Sequence, residues 1–354
     1  MSGQSFSVRL AGTDTAFTCA ADDTLLRAAQ RAGLGFPYEC NVGSCGNCKF
    51  ELLEGTVATA WDQAPGLSDK DRQRKRHLGC QSSPLSDCVV KLRPSERYVP
   101  PHRPQRVAAV LRAQRAITHD IGEFHFGLDS AVAFEPGQYA LVQLPGVAGP
   151  RAYSMSNTTA DDGGLTWHFQ VRQVPGGVGS AALFGLQPGA VVHIDGPYGM
   201  AWLRRDAPRD ILCLAGGSGL APMVSIARGA MAEPALAGRH LYFIYGGRTP
   251  ADLCGRDMLE VLPGWGTRMS YRGFVSTPPP EGNTNPAGVA DETPKLAADC
   301  AHGFVHEAAL SLHGEGLRAM EVYFAGPPAM ANAVQRMLLG AGVPPEQQHF
   351  DQFY

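Results

Sequence analysis

Cys40, Cys45 and Cys48 stand in the segment ECNVGSCGNCKF, spaced C-x4-C-x2-C with Gly43 and Gly46 between them, and Cys80 follows in HLGCQ. Three thiols so close together can face a common centre only if the backbone turns sharply around it, which glycine permits at little steric cost. A fourth thiol then closes the set from a distant element. The chain holds nine cysteines in 354 residues. That is an odd number in a sequence far longer than the small secreted domains held by disulfide frameworks, so metal binding or redox chemistry is the better explanation.

The spacing is that of a plant-type [2Fe-2S] ferredoxin, and it makes Cys40, Cys45, Cys48 and Cys80 the candidate cluster ligands. A zinc site or a set of free thiols is the competing reading. Cys19 and Cys88 lack such spacing and read as small buried hydrophobes. Strands expected over 6–10, 17–20 and 50–53, with a helix over 24–31, suit a small β-grasp ferredoxin domain.

The rest of the chain differs in texture. At about 150 residues per domain, the length predicts two or three domains. Residues 94–104, PSERYVPPHRP, hold four prolines, a linker composition that separates a first domain over 1–93. Over 105–206, alternating runs at 139–144, 165–174 and 191–195 are punctuated by Pro-Gly pairs, the pattern of an antiparallel barrel or sandwich. Over 207–354, apolar runs at 211–215, 241–245, 268–275 and 322–325 alternate with helical stretches and predict an open α/β sheet. The Pro-, Gly- and Asn-rich segment 277–294 reads as an exposed loop without chemistry.

Charge narrows the function. Thirty basic and 33 acidic residues give a net charge of -3, which removes the electrostatic footprint of a general nucleic-acid binder. Neither a signal sequence nor an apolar run long enough for a membrane span is visible, so a soluble, cytoplasmic protein is expected, and the modest charge is compatible with a monomer.

Two sets of residues have the chemistry of dinucleotide sites. Arg151, Ala152, Tyr153 and Ser154 combine a cation for phosphate, an aromatic face and a hydroxyl donor, as a flavin requires. Gly177, Val178, Gly179 and Ser180 precede a helix and would cradle a pyrophosphate; Val171, in the run 165–174, is placed in the same set. An ordinary strand end and a glycine hairpin are the plain alternatives. Gly196 to Gly199 (GPYG) reads as a turn bounding the barrel.

In the third segment, a strand runs into Gly216, Gly217, Ser218 and Gly219 and then a helix, which points backbone amides at a dinucleotide. Alone, such a turn is equally well a plain αβ connection. Gly246, Arg248, Gly326, Pro327, Pro328 and Met330 lie at further strand ends, where α/β sheets bind ligands, although Arg248 would also suit a surface ion pair. The terminal Phe353 and Tyr354 would stack on a flavin ring or else pack in the core.

With these motifs together, the whole chain resembles the ferredoxin-NADP-reductase superfamily, in the branch with an amino-terminal ferredoxin domain. The stretches FPYECNVGSCGNCKFELLEG, RAYS, AGGSGLAPMVS, GFVHE, AGPP and HFDQFY are similar to reductases of toluene 4-monooxygenase-type soluble di-iron systems; those of xylene monooxygenases and Rieske dioxygenases share the plan. The resemblance implies a β-grasp [2Fe-2S] domain, an antiparallel β-barrel FAD domain and an α/β NAD-binding domain whose aromatic tail returns to the flavin. It further implies an NADH:ferredoxin oxidoreductase using FAD, a [2Fe-2S] cluster and NADH, with Ser154 and Tyr354 at the hydride-transfer centre. Its acceptor would be a Rieske-type ferredoxin or an oxygenase component. One departure stands out: Ala325 occupies the place where the family usually has a cysteine near the nicotinamide.

Residues 70–77 (KDRQRKRH) would steer an acidic partner toward the cluster or form a solvated helix face. His102, His119, His168, His193 and His306 show no ligand spacing. A reading of another class is an electron carrier or redox sensor that binds flavin without turning over NADH.

Overall fold

The computed structural model describes residues 3–277 and 300–353; the loop expected over 277–294 lies, beyond Thr277, outside them. Three sheets follow one another along the chain, and the core of the first runs on into Tyr139, Leu141 and Tyr198 of the second.

The first is a five-stranded mixed sheet in the order β2-β1-β7-β3-β5, from β1 (Ser5–Leu10), β2 (Ala16–Ala20), β3 (Lys49–Glu54), β5 (Arg76–Leu78) and β7 (Cys88–Lys91). Alternation turns Val8, Leu10, Phe17 and Cys19 inward. Helix α1 (Leu25–Arg31) starts at Thr24, whose hydroxyl accepts the Arg27 amide, and packs Leu25, Leu26, Ala28 and Ala29 against the sheet. A small ladder of β4 (Val57–Thr59) and β6 (Ser82–Pro84) and the short helix α2 (Asp69–Gln73) complete this β-grasp unit. Cys19 and Cys88 lie in its core, and burial pushes the Cys19 thiol up to about 12.

The second sheet has the order β11-β10-β13-β8-β9-β12, from β8 (Gln105–Ala116), β9 (Ile121–Leu128), β10 (Tyr139–Gln143), β11 (Arg151–Ser154), β12 (Thr166–Arg172) and β13 (Val191–Tyr198). A bridge between Met155 and Phe169 brings its two edges together, so the sheet is nearly a closed barrel. Helix α3 (Val178–Phe184) caps one end. The turn expected at Gly196 to Gly199 is corrected: Gly196, Pro197 and Tyr198 belong to β13, where Gly196 pairs with Gln105. Pairing with β8 holds this segment extended despite its turn-like composition.

The third sheet is parallel throughout, in the order β17-β16-β15-β14-β18-β19. Its strands are β14 (Asp210–Gly216), β15 (Leu241–Gly247), β16 (Met269–Val275), β17 (Cys300–His302), β18 (Met320–Ala325) and β19 (Gln348–His349). On β14, Ile211, Cys213 and Ala215 face α4 (Leu220–Ala232) and α5 (Arg256–Leu259), whereas Leu212 and Leu214 face α6 (Val305–His313) and α7 (Pro328–Gly340). Apolar residues on both faces explain why these strands read as continuous hydrophobic runs.

Candidate functional site

The cysteine loop is compact. Gly46 has φ 79°, and a Cβ there would stand 2.5 Å from the Gly66 carbonyl oxygen, so only glycine lets the segment around Gly66 close over the thiols. Amides point at sulfur: the Cys40 Sγ accepts from Val42 at 3.5 Å and Cys45 at 3.4 Å, and the Cys45 Sγ from Asn47 at 3.5 Å. The Cys45 thiol, and against burial the amides of Val42, Cys45 and Ser44, pull the Cys40 thiol well below its usual range. The four sulfurs stand as two pairs, Cys40 with Cys45 and Cys48 with Cys80, the latter at 3.4 Å. Two thiolate pairs lined by amides suit two iron atoms bridged by sulfide better than one tetrahedral ion, so the residues fit a [2Fe-2S] cluster.

This loop is clamped to the barrel. The Tyr139 hydroxyl donates to the Glu39 carbonyl at 2.8 Å, immediately before Cys40, and the Gly199 amide donates to the Tyr38 hydroxyl at 2.9 Å. Arg31 forks onto Asp195 at 2.7 and 3.0 Å while also holding Asp23. Burial alone would raise the Asp195 carboxyl, but the Arg31 hydrogen bonds and charge outweigh it and hold the group below its usual range.

A cleft of about 690 Å³ opens between the barrel and the parallel sheet. Arg151, Ala152, Tyr153 and Ser154 of β11, Val171 of β12, and Gly177, Val178, Gly179 and Ser180 line its barrel side. The Arg151 Nη1 donates to the carbonyls of Ala148, Gly149 and Pro150, which leaves Nε and Nη2 without a protein acceptor among the described residues. The helix starts earlier than the sequence suggests: Gly177 is the cap of α3, and Val178, Gly179 and Ser180 form its first turn rather than preceding it. A Cβ on Gly179 would lie 2.9 Å from the Arg151 side chain, so glycine there lets the guanidinium cross that first turn. The Ser180 hydroxyl braces the loop from within, accepting from the Val174 amide at 3.0 Å and donating to the Gly177 carbonyl at 3.1 Å. A free guanidinium edge beside a glycine loop fits the pyrophosphate of a dinucleotide.

Gly216, Gly217, Ser218, Gly219, Ala325, Gly326, Pro327 and Pro328 form the opposite wall. A second cavity of about 490 Å³ continues along the carboxyl ends of β14, β15 and β16, lined by Gly246, Arg248 and Met330, and it shares Arg172, Gly216, Gly217 and Pro327 with the first. Arg248 is largely exposed and stands 3.7 Å from Asp252 and 4.0 Å from Asp120.

The terminal segment returns to the cleft. Phe350 stacks on Phe324 at 4.6 Å, the Met200 amide donates to the Asp351 carboxylate at 2.9 Å, and Phe353 meets Tyr139 edge-on at 4.8 Å. Phe350 and Phe353 both line the cleft, and each also packs, half-buried, against a hydrophobic core; Tyr354 lies outside the described residues. Burial pushes the Asp351 carboxyl up to about 6. Sequence reasoning assigned no role to Asp351 or to the outer-cavity residues Asp120, Arg172, Asp252 and Glu307. The stretches GFVHE and HFDQFY contain Glu307 and Asp351, whereas Asp120 and Arg172, bonded at 2.6 Å, meet the α/β domain through tertiary packing alone.

Three family models match in succession: a 2Fe-2S iron-sulfur cluster binding domain over residues 8–85, an oxidoreductase FAD-binding domain over 108–202 and an oxidoreductase NAD-binding domain over 213–336. The chain is 39% identical to the ferredoxin–NAD(P)(+) reductase CarAd of Metapseudomonas resinovorans, over 95% of this chain and 96% of that one. It is 37% identical to the ferredoxin–NAD(+) reductase component of the alkene monooxygenase system of Xanthobacter autotrophicus, over 95% and 97%. The solved ferredoxin reductase in carbazole 1,9a-dioxygenase superposes with a TM-score of 0.86 at 34% identity, covering 99% of both chains. Paired thiols, a two-walled dinucleotide cleft and these full-length matches place the chain in the ferredoxin–NAD(P)+ reductase family, among the FAD- and [2Fe-2S]-dependent reductases related to the electron-transfer components of multicomponent oxygenases.

Proposed function

We propose that the chain oxidises NADH in the cleft and delivers the electrons singly, through the cysteine loop, to a Rieske-type ferredoxin or an oxygenase component. The observation that carries this reading is the continuity of the two cavities, which share four wall residues. A nicotinamide dinucleotide laid along the strand ends would reach from Arg248 to Ser154. When bound, the flavin and the cluster supply hydride acceptance and one-electron transfer.

The protein's part is positioning. Arg151 and the first turn of α3, Gly177 to Ser180, would hold the flavin phosphates, and Ser154, whose hydroxyl has no protein partner among the described residues, would donate to the reacting edge of its ring. Gly216 to Gly219 and Gly326 to Met330 would carry the nicotinamide half, with Ala325 in the same wall. Phe353 would cover the ring and exclude water. Tyr139 touches both Phe353 and the Glu39 carbonyl, so one side chain links the cleft to the residue before Cys40. NADH over NADPH rests on the family resemblance, because the outer cavity holds the cations Arg172 and Arg248 paired with Asp120 and Asp252.

Among multicomponent oxygenases, the toluene 4-monooxygenase type is the finer reading and rests on the sequence motifs. No described helix is long and apolar enough to cross a membrane; a cytoplasmic location is proposed on sequence grounds. The test is an anaerobic absorbance titration with NADH and then NADPH. Bleaching of the flavin and iron–sulfur bands by NADH is expected; no bleaching of a protein that holds flavin and iron would favour a carrier or sensor.

A further inference from the structure

Against the cysteine loop lies a cation that has no carboxylate of its own among the described residues. Arg27, within α1, is 9% exposed. Its Nε donates to the Asn41 Oδ1 at 3.2 Å and its Nη2 to the Asn41 carbonyl at 3.3 Å, both neutral acceptors. The neighbouring carboxylates are engaged elsewhere, Asp23 and Asp195 by Arg31, and Asp22 and Asp23 by Arg106. Among the described residues none forms an ion pair with Arg27. A buried guanidinium in this position is costly unless an anion stands nearby.

Asn41 supplies a second, independent sign. It follows Cys40, is 1% exposed and has φ 56°, and its Nδ2 is buried without a hydrogen-bond partner. An orphan donor and an unpaired cation therefore meet at the residue beside the first thiolate pair.

We propose that Arg27 is the built-in counter-cation of the iron–sulfur cluster, held in place through Asn41, and that it raises the cluster's reduction potential. It is a positioning residue acting through its field. Reduction adds one electron to the cluster, taken from reduced flavin in turnover, and neither makes nor breaks a bond. The added negative charge is stabilised by a fixed cation in surroundings that screen it poorly. This inference rests on the proposed function only for the presence of the cluster.

The experiment is a dye-mediated potentiometric titration of the full holoprotein with dithionite, followed by the electron paramagnetic resonance of the reduced cluster. Because the reductant is chemical, its outcome is independent of NADH turnover and of any partner. Arg27→Met and Arg27→Gln should each shift the reduction equilibrium against the reduced cluster about tenfold, equivalent to about 59 mV for one electron. Arg27→Lys should stay within about twofold of the parent. Loss of iron from both neutral variants but not from the Lys variant would also support the counter-cation. An unchanged midpoint in a loaded neutral variant would overturn the proposal. So would an equal drop in the Lys variant, or loss of iron from all three, which would mark Arg27 as a structural brace.

Discussion

The cysteine loop and the cleft between barrel and parallel sheet gather polar groups around a space for a ligand in opposite ways, one from a short stretch of sequence and one from a long one. Three of the four thiols come from one turn at Cys40, Cys45 and Cys48, and their geometry follows from spacing and from Gly46. The cleft draws on residues from Gly137 to Phe353. Its wall exists only when barrel and parallel sheet pack together and the tail folds back over both. A local site therefore tolerates interdomain strain, whereas a composite one is exposed to it.

The largest effect that would break this comparison is expected from Cys48→Ser. It should remove the cluster and lower transfer to a one-electron acceptor by more than about 100-fold, while NADH-driven bleaching of the flavin persists. Stopped-flow absorbance at the flavin and iron–sulfur bands separates the two; loss of both would mean that the regions are not independent.

Ser154→Ala should slow NADH-driven flavin reduction by about 100-fold, the usual effect of deleting one donor at a reacting atom, with FAD content unchanged. If flavin content falls instead, Ser154 serves binding.

The clamp between the two regions is the next test. Arg31→Met should destabilise the chain by about 2 kcal/mol, because it leaves Asp195 buried and unpaired, as read by denaturant unfolding. Asp195 sits below its usual range, so its stabilising contribution is full above about pH 4 and is lost as pH falls through its lower folded value. The difference between parent and variant should accordingly shrink in acid and not in mild base.

The smallest effect concerns the tail. The Asp351 carboxyl is raised to about 6, so its ionisation opposes folding increasingly as pH rises from about 4 through 6. Asp351→Asn should stabilise the protein by about 1 kcal/mol at pH 8 and hardly at all at pH 4. A gain of equal size at both pH values would assign the effect to packing.

Local chemistry was the legible part. The cysteine spacing named the thiols that the structure brings together, and strand-ending glycines located both walls of the cleft. Two features misled or stayed silent. Gly196 and Pro197 have turn composition yet lie in β13, because pairing with β8 outweighs local preference. Asp120 and Arg172 carry no motif, since their roles depend on which strand end lies opposite.

By itself the sequence determined the thiolate loop, the order of the three units and the glycine turns, all consequences of covalent spacing and backbone freedom over a few residues. Only the tertiary structure decided that Tyr139 joins the cleft to the cysteine loop, that Arg31 clamps the two units together and that Arg27 is buried without a carboxylate partner among the described residues. Those facts depend on which charges and rings are excluded from water together, and that is a property of packing between distant segments rather than of any stretch of chain.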